Sequence, residues 1–397
     1  MSAPRPSAPA RRRPPGSRKS SKSKTRKPDY GLIIAGVIGC IVGTIVLFYV
    51  ARSMPAKARS GIVAGLPNSV PIVTSPRRTI DGTGDVHAVV FQADGKGVLV
   101  GDRAGLTEYD PATGAAVTRA FPLSGKGVRA AALSPSGKTL AVALAYTKTV
   151  RIVHAANDSV DPSSLTDAAG EVEHLTFSPD GRLLLGGGVP KKLFVWDAES
   201  LIEEEPGRVF DTTAAAKSRK RLVRAIPLEG SVRGVAFSPD GRLAAVSVGR
   251  KVLLLDTGTW LVVRALAEPK MEFGGVAFSP DGKNLAAAVR DSDATPAVAW
   301  EVTTGKVAYR AERLTAGGGR FGIPPTSTAE QVAYSPNGDH LAVARADGMV
   351  ALTEAKSGKA RRLLQAGDRA ILSVGFSPDS RTVVTGSADG SVKLWDL

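Results

Sequence analysis

Val235 to Val246 reads VAFSPDGRLAAV, and Val276 to Ala287 reads VAFSPDGKNLAA. Each is a β-rich run ending on a ring, then a Ser-Pro-Asp-Gly corner whose glycine tolerates positive φ, then a second apolar run. That order predicts a two-stranded hairpin. Five other stretches follow the same plan: VVFQADGKGVLV from Val89, AALSPSGKTLAV from Ala131, LTFSPDGRLLLG from Leu175, VAYSPNGDHLAV from Val332 and VGFSPDSRTVVT from Val374. The ring positions are Phe91, Phe177, Phe237, Phe278, Tyr334 and Phe376, with Leu133 standing in once, and they recur at steps of 41 to 44 residues in four of six intervals. Such a period is that of a four-stranded repeat unit, stacked so that neighbours bury one another.

A third strand follows each hairpin, ending in Trp196-Asp197, Leu255-Asp256 or Trp395-Asp396. After it comes a Thr-Gly corner, as at Thr113-Gly114, Thr257-Gly258 and Thr304-Gly305. The 43 glycines and 26 prolines suit a chain of short strands and tight turns. The last unit, GSADGSVKLWDL from Gly386 to Leu397, resembles the WD-repeat (WD40-type) family, and the likeness extends over residues 86–397. It implies an all-β, seven-bladed β-propeller in which Trp196, Asp197, Asp389, Trp395 and Asp396 are structural residues of their blades. The family's usual Gly-His pair before the first strand is missing throughout, so the histidine-based bracing of many blades is not expected. The second and fourth repeats lack the Trp-Asp pair and look closer to other bacterial propellers. With a composition rich in Ala, Gly, Arg and Val, this suggests a bacterial-type member.

The chain ends on a third strand, which leaves the last blade with an exposed edge unless another segment covers it. Val70 to Ile80 is the β-capable segment placed to pair with Ser391 to Leu397 and close the ring. The expected organisation is a basic tail over residues 1–29, a membrane helix over 30–51, a linker over 52–69 and the propeller over 70–397.

Residues 1–28 offer Pro, Ser, Arg and Lys in place of core material, so this stretch is expected to be disordered. Gly31 to Ala51 is 21 residues without a charge, enough at about 1.5 Å per residue to cross about 30 Å of hydrocarbon. Tyr30, Phe48 and Tyr49 stand where rings favour the headgroup level, and ten Arg or Lys precede the span. This predicts a single-pass, uncleaved signal anchor in the cytoplasmic (inner) membrane, tail inside and propeller extracytoplasmic. Gly31, Ala35, Gly39 and Gly43 recur every fourth residue, a small-residue ridge that would pair two such helices as a homodimer.

The net charge of +15 is a property of that tail: residues 1–59 hold thirteen Arg or Lys against one acid, Asp29. A basic face for nucleic acid on the folded part is therefore not expected. Cys40 is the single cysteine and lies in the apolar run, so no disulfide joins the repeats.

Catalytic patterns are lacking. Ser136-Gly137-Lys138-Thr139 has the tail of a phosphate loop, but it falls in a hairpin turn and Ala132 stands where the first glycine should be. Asp291-x-Asp293-x-Thr295 has an aspartyl-nucleophile spacing without the parallel α/β sheet such chemistry needs. His87, His154, His174 and His340 fall in different blades, so a metal site would require convergence at the central channel. No enzyme activity, cofactor or metal is expected.

Two insertions lengthen the period. One, Glu199 to Arg219, interrupts a Thr-Gly corner and is followed by more basic residues; Lys217, Arg219, Lys220 and Arg221 form its candidate membrane-facing patch. The other, Arg313 to Ala329, precedes the sixth hairpin, and Arg320, Phe321, Pro324 and Pro325 are its candidate partner-binding residues, because contacts gather on loops held by a rigid scaffold. The expected function is a protein-interaction scaffold for a protein or peptide partner. The alternative is an extracytoplasmic enzyme or ligand sensor with a site in the channel.

Overall fold

Each hairpin corner is built by its own side chains. Ser238 Oγ donates to Asp240 Oδ1 at 2.6 Å and accepts the N–H of Leu243 at 2.9 Å, while the Asp240 carboxylate accepts the N–H of Arg242 at 3.1 Å. Gly241 supplies the left-handed residue, with φ of 71°. The same hydroxyl-to-carboxylate link recurs at Ser178, Ser279 and Ser377, and at Ser335 with Asn337 as acceptor. In the last hairpin Ser380 occupies the glycine position at φ 62°, and its Oγ accepts the N–H of Asn337 from the preceding blade at 3.0 Å.

The computed structural model describes residues 70–397 apart from 122, 124–125, 155–158, 161–164, 166–169, 199–221, 293–294 and 314–327. These residues form one compact unit of seven antiparallel sheets, a seven-bladed β-propeller. The inner strands are Ala88–Phe91, Val128–Leu133, Val172–Phe177, Val232–Phe237, Phe273–Phe278, Ala329–Tyr334 and Ile371–Phe376. Each lies beside the next around a central channel, and the seventh lies beside the first.

Alternating strands bury small and branched side chains on both sheet faces, and no blade covers its own faces alone. Seven apolar clusters result, one at each interface between neighbouring blades. The cluster joining the last blade to the first holds Ile80, Val384, Val392 and Leu394 against Val86, Val89, Val98 and Val100. A polar latch accompanies the burial at four interfaces. The guanidinium of an outer-strand arginine donates to a backbone carbonyl of the following blade, in a turn for Arg78 to Ala112, Arg224 to Thr259 and Arg264 to Thr303 and Thr304, and at a strand end for Arg362 to Asp396. Where the inner strand of blade six carries Tyr334 in place of Phe, its hydroxyl meets that of Tyr309 from blade five at 2.8 Å.

Ring closure differs from the sequence expectation in extent. Arg78–Asp81 forms the outer strand of the last blade, paired antiparallel from Arg78 opposite Leu394 to Asp81 opposite Ser391. The upstream part of the expected segment does not continue that pairing. Ile72–Val73 lies parallel to the outer strand of blade six, opposite Leu363 and Leu364, and makes that sheet five-stranded. The reason lies in the side chains. Ile80 is buried in the seam between last and first blades, whereas Val73 packs against the cluster between blades six and seven.

The anchor over 30–51, with Gly31, Ala35, Gly39 and Gly43, lies outside the described residues, as does the tail. Among the described residues there is no helix, and hence none long and apolar enough to cross a membrane.

Because Ile80 is 5% exposed and Ile72 37%, Ile80→Ala is expected to cost about 2–4 kcal/mol and Ile72→Ala under about 1 kcal/mol, measured as unfolding free energies in urea. Equal costs would remove Arg78–Asp81 as the closing strand.

Candidate functional site

Antiparallel order puts the hairpin corners and Thr-Gly corners on one face of the disc and the starts of the inner strands on the other. On that second face, a ladder irregularity follows the first residue of the inner strands of blades two to seven. A bulge of this kind re-aims side chains at a rim. The two residues just before each hairpin repeat therefore surround one end of the channel. They are His87-Ala88, Arg129-Ala130, Glu173-His174, Arg233-Gly234, Gly274-Gly275, Glu330-Gln331 and Leu372-Ser373.

A cavity of about 240 Å³ lies here, lined among others by His87, Glu173, His174, Gln331 and Ser373. Its size depends on small neighbours. A Cβ on Gly234 would come within 2.8 Å of the Gly275 backbone, and one on Gly275 would strike the Gln331 side chain, so glycine at these positions lets blade four approach blade five, and blade five approach blade six.

The rim is charged and largely paired. Arg129 donates to Glu173 Oε1 at 2.7 Å and lies 3.1 Å from His87 Nε2. Arg290 donates to Glu330 Oε2 at 2.7 Å. Burial, then the Arg129 charge, holds the His87 imidazole below its ordinary pKa. His174 is pushed down to about 4, chiefly by burial, with Arg129, Arg233 and Arg290 adding to the effect and Glu173 opposing it. Both rings are thus neutral at neutral pH. His174 makes no hydrogen bond among the described residues, and Arg233 is exposed without an ion pair among them.

Two of the four histidines therefore do converge on the channel, as a metal site would have required. His154 and His340 do not line it. Among the described residues no group of three or more His, Cys, Asp or Glu stands close enough to hold a metal ion. The candidate partner residues Arg320, Phe321, Pro324 and Pro325 lie outside the described residues, as do Lys217, Arg219, Lys220 and Arg221. Ser136-Gly137-Lys138-Thr139 is a hairpin turn, with Gly137 at φ 70°. The Asp291 carboxylate accepts the N–H of Glu272 at 2.6 Å, which ties the segment after the second strand of blade five to the loop entering that blade.

Of the residues implied as structural, the two tryptophans are buried and Asp389 is bonded in a turn. Trp395 and Trp196 are 1% and 0% exposed and sit at equivalent strand positions, opposite Val383 and Leu184. Trp395 Nε1 donates to Thr385 Oγ1 at 3.2 Å. The equivalent of Thr385 in blade three is Gly186, where a Cβ would come within 2.5 Å of the Trp196 ring, and Trp196 Nε1 has no partner among the described residues. Trp196 stacks instead on Phe194, with centroids 5.5 Å apart. Asp389 accepts N–H groups from Asp368 at 2.6 Å and Ser391 at 2.8 Å, which ties the turn between the second and third strands to the loop entering the blade. Asp197 closes the ladder opposite Leu183, and Asp396 meets Arg77 of the closing segment at 3.3 Å.

Residues 163–197 and 358–396, which hold the first three strands of blades three and seven, match the family described as "WD domain, G-beta repeat". Two stretches of this seven-bladed propeller are therefore similar to WD repeats. Among relatives, WD repeat-containing protein 1 of Gallus gallus is 26% identical over 240 residues, covering 58% of this chain and 34% of that protein. Protein HIR1 of Yarrowia lipolytica is 35% identical over 112 residues, or 26% of this chain and 10% of that protein. The COMPASS component SWD1 of Saccharomyces cerevisiae is 38% identical over 72 residues, 17% of each chain. The aligned part spans about a third of the first of these relatives and less of the others. All are eukaryotic proteins, so the expectation of a bacterial-type member receives no support from them.

Sequence reading weighed His87 and His174 only as metal ligands and passed over Arg129, Glu173, Arg233 and Gln331. The available signal was their constant offset before each hairpin repeat of the propeller. Two predictions follow from the buried groups. Trp395→Phe loses a made hydrogen bond and Trp196→Phe removes an orphaned donor, so the first is expected to destabilise more than the second, by about 1–2 kcal/mol in denaturant unfolding. A histidine kept neutral on folding binds fewer protons than in the unfolded chain. Stability is therefore expected to fall as pH drops from 6.5 to about 4, and His174→Gln should flatten that slope in a pH series of melting temperatures.

Proposed function

We propose that this chain is a membrane-tethered WD-repeat scaffold that receives a protein segment on the face carrying the channel mouth. WD-repeat propellers generally bind protein partners through their loops, and no catalytic constellation is assembled among the described residues. The observation that carries the reading is on the mouth face itself. Tyr146 is 93% exposed in a turn between second and third strands, held at φ 58°. A non-glycine residue in that conformation costs about 1 kcal/mol or more, and such strain concentrates at binding sites. Its N–H donates to Glu171 Oε1 at 3.0 Å, which fixes the turn beside the mouth. The matching turn of blade three exposes Val189 to 56% and holds Lys191 at φ 53°. Neighbouring blades thus raise an aromatic and an aliphatic side chain beside a polar rim, the mixture that protein interfaces favour at their centres.

The tether rests on sequence: the charge-free stretch 31–51 behind a basic leader favours a cytoplasmic tail and an extracytoplasmic disc at the inner membrane. The closing strand starts at Arg78, on the face of the Thr-Gly corners. One relative is named as a component of an assembly, which accords with a scaffold role.

A photo-crosslinking residue in place of Tyr146, compared in the native host with one in place of Lys138 on the opposite face, tests the reading. Partner adducts are expected at least fivefold more from position 146, and a C-terminal phosphatase reporter should be active only outside the cytoplasm. Equal or reversed crosslinking would overturn the assigned face, and a cytoplasmic reporter the topology.

A further inference from the structure

We propose that the mouth face takes an acidic peptide segment, laid over the turns of blades two to four, with its apolar side chains against Tyr146 and Val189 and its carboxylates against the lysines beside them. This rests on the mouth face being the partner face, and adds the chemistry of the partner. The turns between second and third strands rim that face, one from each blade. Counted through the residue that opens the third strand, those of blades two, three and four carry Lys148, Lys191 with Lys192, and Arg250 with Lys251, and among the described residues no carboxylate. The same stretch in blades five, six, seven and one carries Asp291, Asp347, Asp389 and Asp102 against Arg290 and Arg103. The rim is thus divided: among the described residues, an excess of five positive charges on three adjacent blades faces an excess of two negative charges on the other four.

The loops entering blades two to four do not remove the positive excess. They hold Lys126, Arg129 and Arg233 against Glu171, Glu173 and Glu229, which cancel, and Asp161 and Asp167 of the undescribed stretch lower the total only to three. Asp85 belongs to the loop entering blade one and adds to the acidic side. Lys148 and Lys191 are exposed, Lys192 is half-buried, and none of the three has an ion pair among the described residues. Lys251 meets Glu229 at 3.0 Å and Arg250 meets Asp291 at 3.9 Å, in exposed pairs that contribute little. The lysines share turns with the exposed apolar groups: Lys148 follows Tyr146 by two residues, and Lys191 follows Val189 by two. Such spacing suits a segment in which acidic and apolar residues interleave. A basic segment would meet like charges at all three turns. A nucleic acid strand would find the cations but only one exposed ring among the described residues, Tyr146, on which to stack a base. Complementary fields of this kind set partner choice and encounter rate more than affinity.

The test uses the full-length protein in detergent, with a photo-crosslinking residue in place of Val189 or, in the matching turn of blade seven, in place of Ala388. A site-specific adduct keeps contacts made by the basic N-terminal tail out of the readout. The probe is a short biotinylated peptide alternating glutamate with leucine and tyrosine, and its counterparts carry glutamine or lysine at the glutamate positions. Adducts of the acidic peptide at position 189 are expected at least tenfold above those of either counterpart and above its own adducts at position 388. They should fall as NaCl rises from about 50 to about 300 mM. Lys148→Glu with Lys191→Glu should cut the yield at least tenfold at an unchanged melting temperature, while Lys148→Arg with Lys191→Arg should keep most of it. Equal yields from acidic and basic peptides, a yield at position 388 matching that at 189, or indifference to the charge reversal would each overturn the proposal. Competition by an oligothymidylate of equal charge, as strong as that by unlabelled acidic peptide, would assign the surface to nucleic acid and overturn it too. The peptides are synthetic, so a failure here leaves the native-host crosslinking test of the face standing.

Discussion

Mutual burial between neighbouring blades is the constraint on which everything else rests. A four-stranded sheet with apolar residues on both faces cannot exist alone in water, and a row of them always leaves two uncovered faces. Only a ring removes both. Here the ring is sealed at one seam, where Ile80 on the closing strand, with Val384, Val392 and Leu394, covers Val86, Val89 and Val98 of the first blade. No disulfide can substitute for that seam, because the only cysteine is Cys40.

The blades reach this packing with unusually small side chains. Alanine and valine fill much of the interfaces, and the hydrogen-bonded Trp395–Thr385 pair of the last blade has no counterpart in blade three, where glycine yields its space to Trp196. Arginines of the outer strands, reaching carbonyls in the next blade, add a polar join at the rim of the disc. Each is exposed and worth little singly.

Function is written on a different part of the same strands. The channel walls repeat from blade to blade, but the two residues at each bulge vary freely between charge, amide, glycine and leucine. That freedom is affordable because the bulge lies at the end of the ladder, where a side chain contributes little to the interfaces. A rigid ring can thus carry an irregular mouth, with Tyr146 and Val189 standing above it.

The hairpin corners, the period and the Trp-Asp endings were legible because each is a local device: a serine and aspartate that close a turn, a glycine at positive φ, and alternation that recurs at fixed spacing. Those residues determine seven like units, and units of that kind have one way to bury their faces. What the sequence left open is what depends on contacts between residues far apart along the chain. Ile72–Val73 joins blade six and not the last blade, because burial of Ile80 fixes the register first. His87 and His174, in separate blades, line one cavity, and Arg129 pairs with Glu173 and Arg290 with Glu330 across blade boundaries. Only ring closure brings these side chains to one point, so only the tertiary structure decides the charge and shape of the mouth.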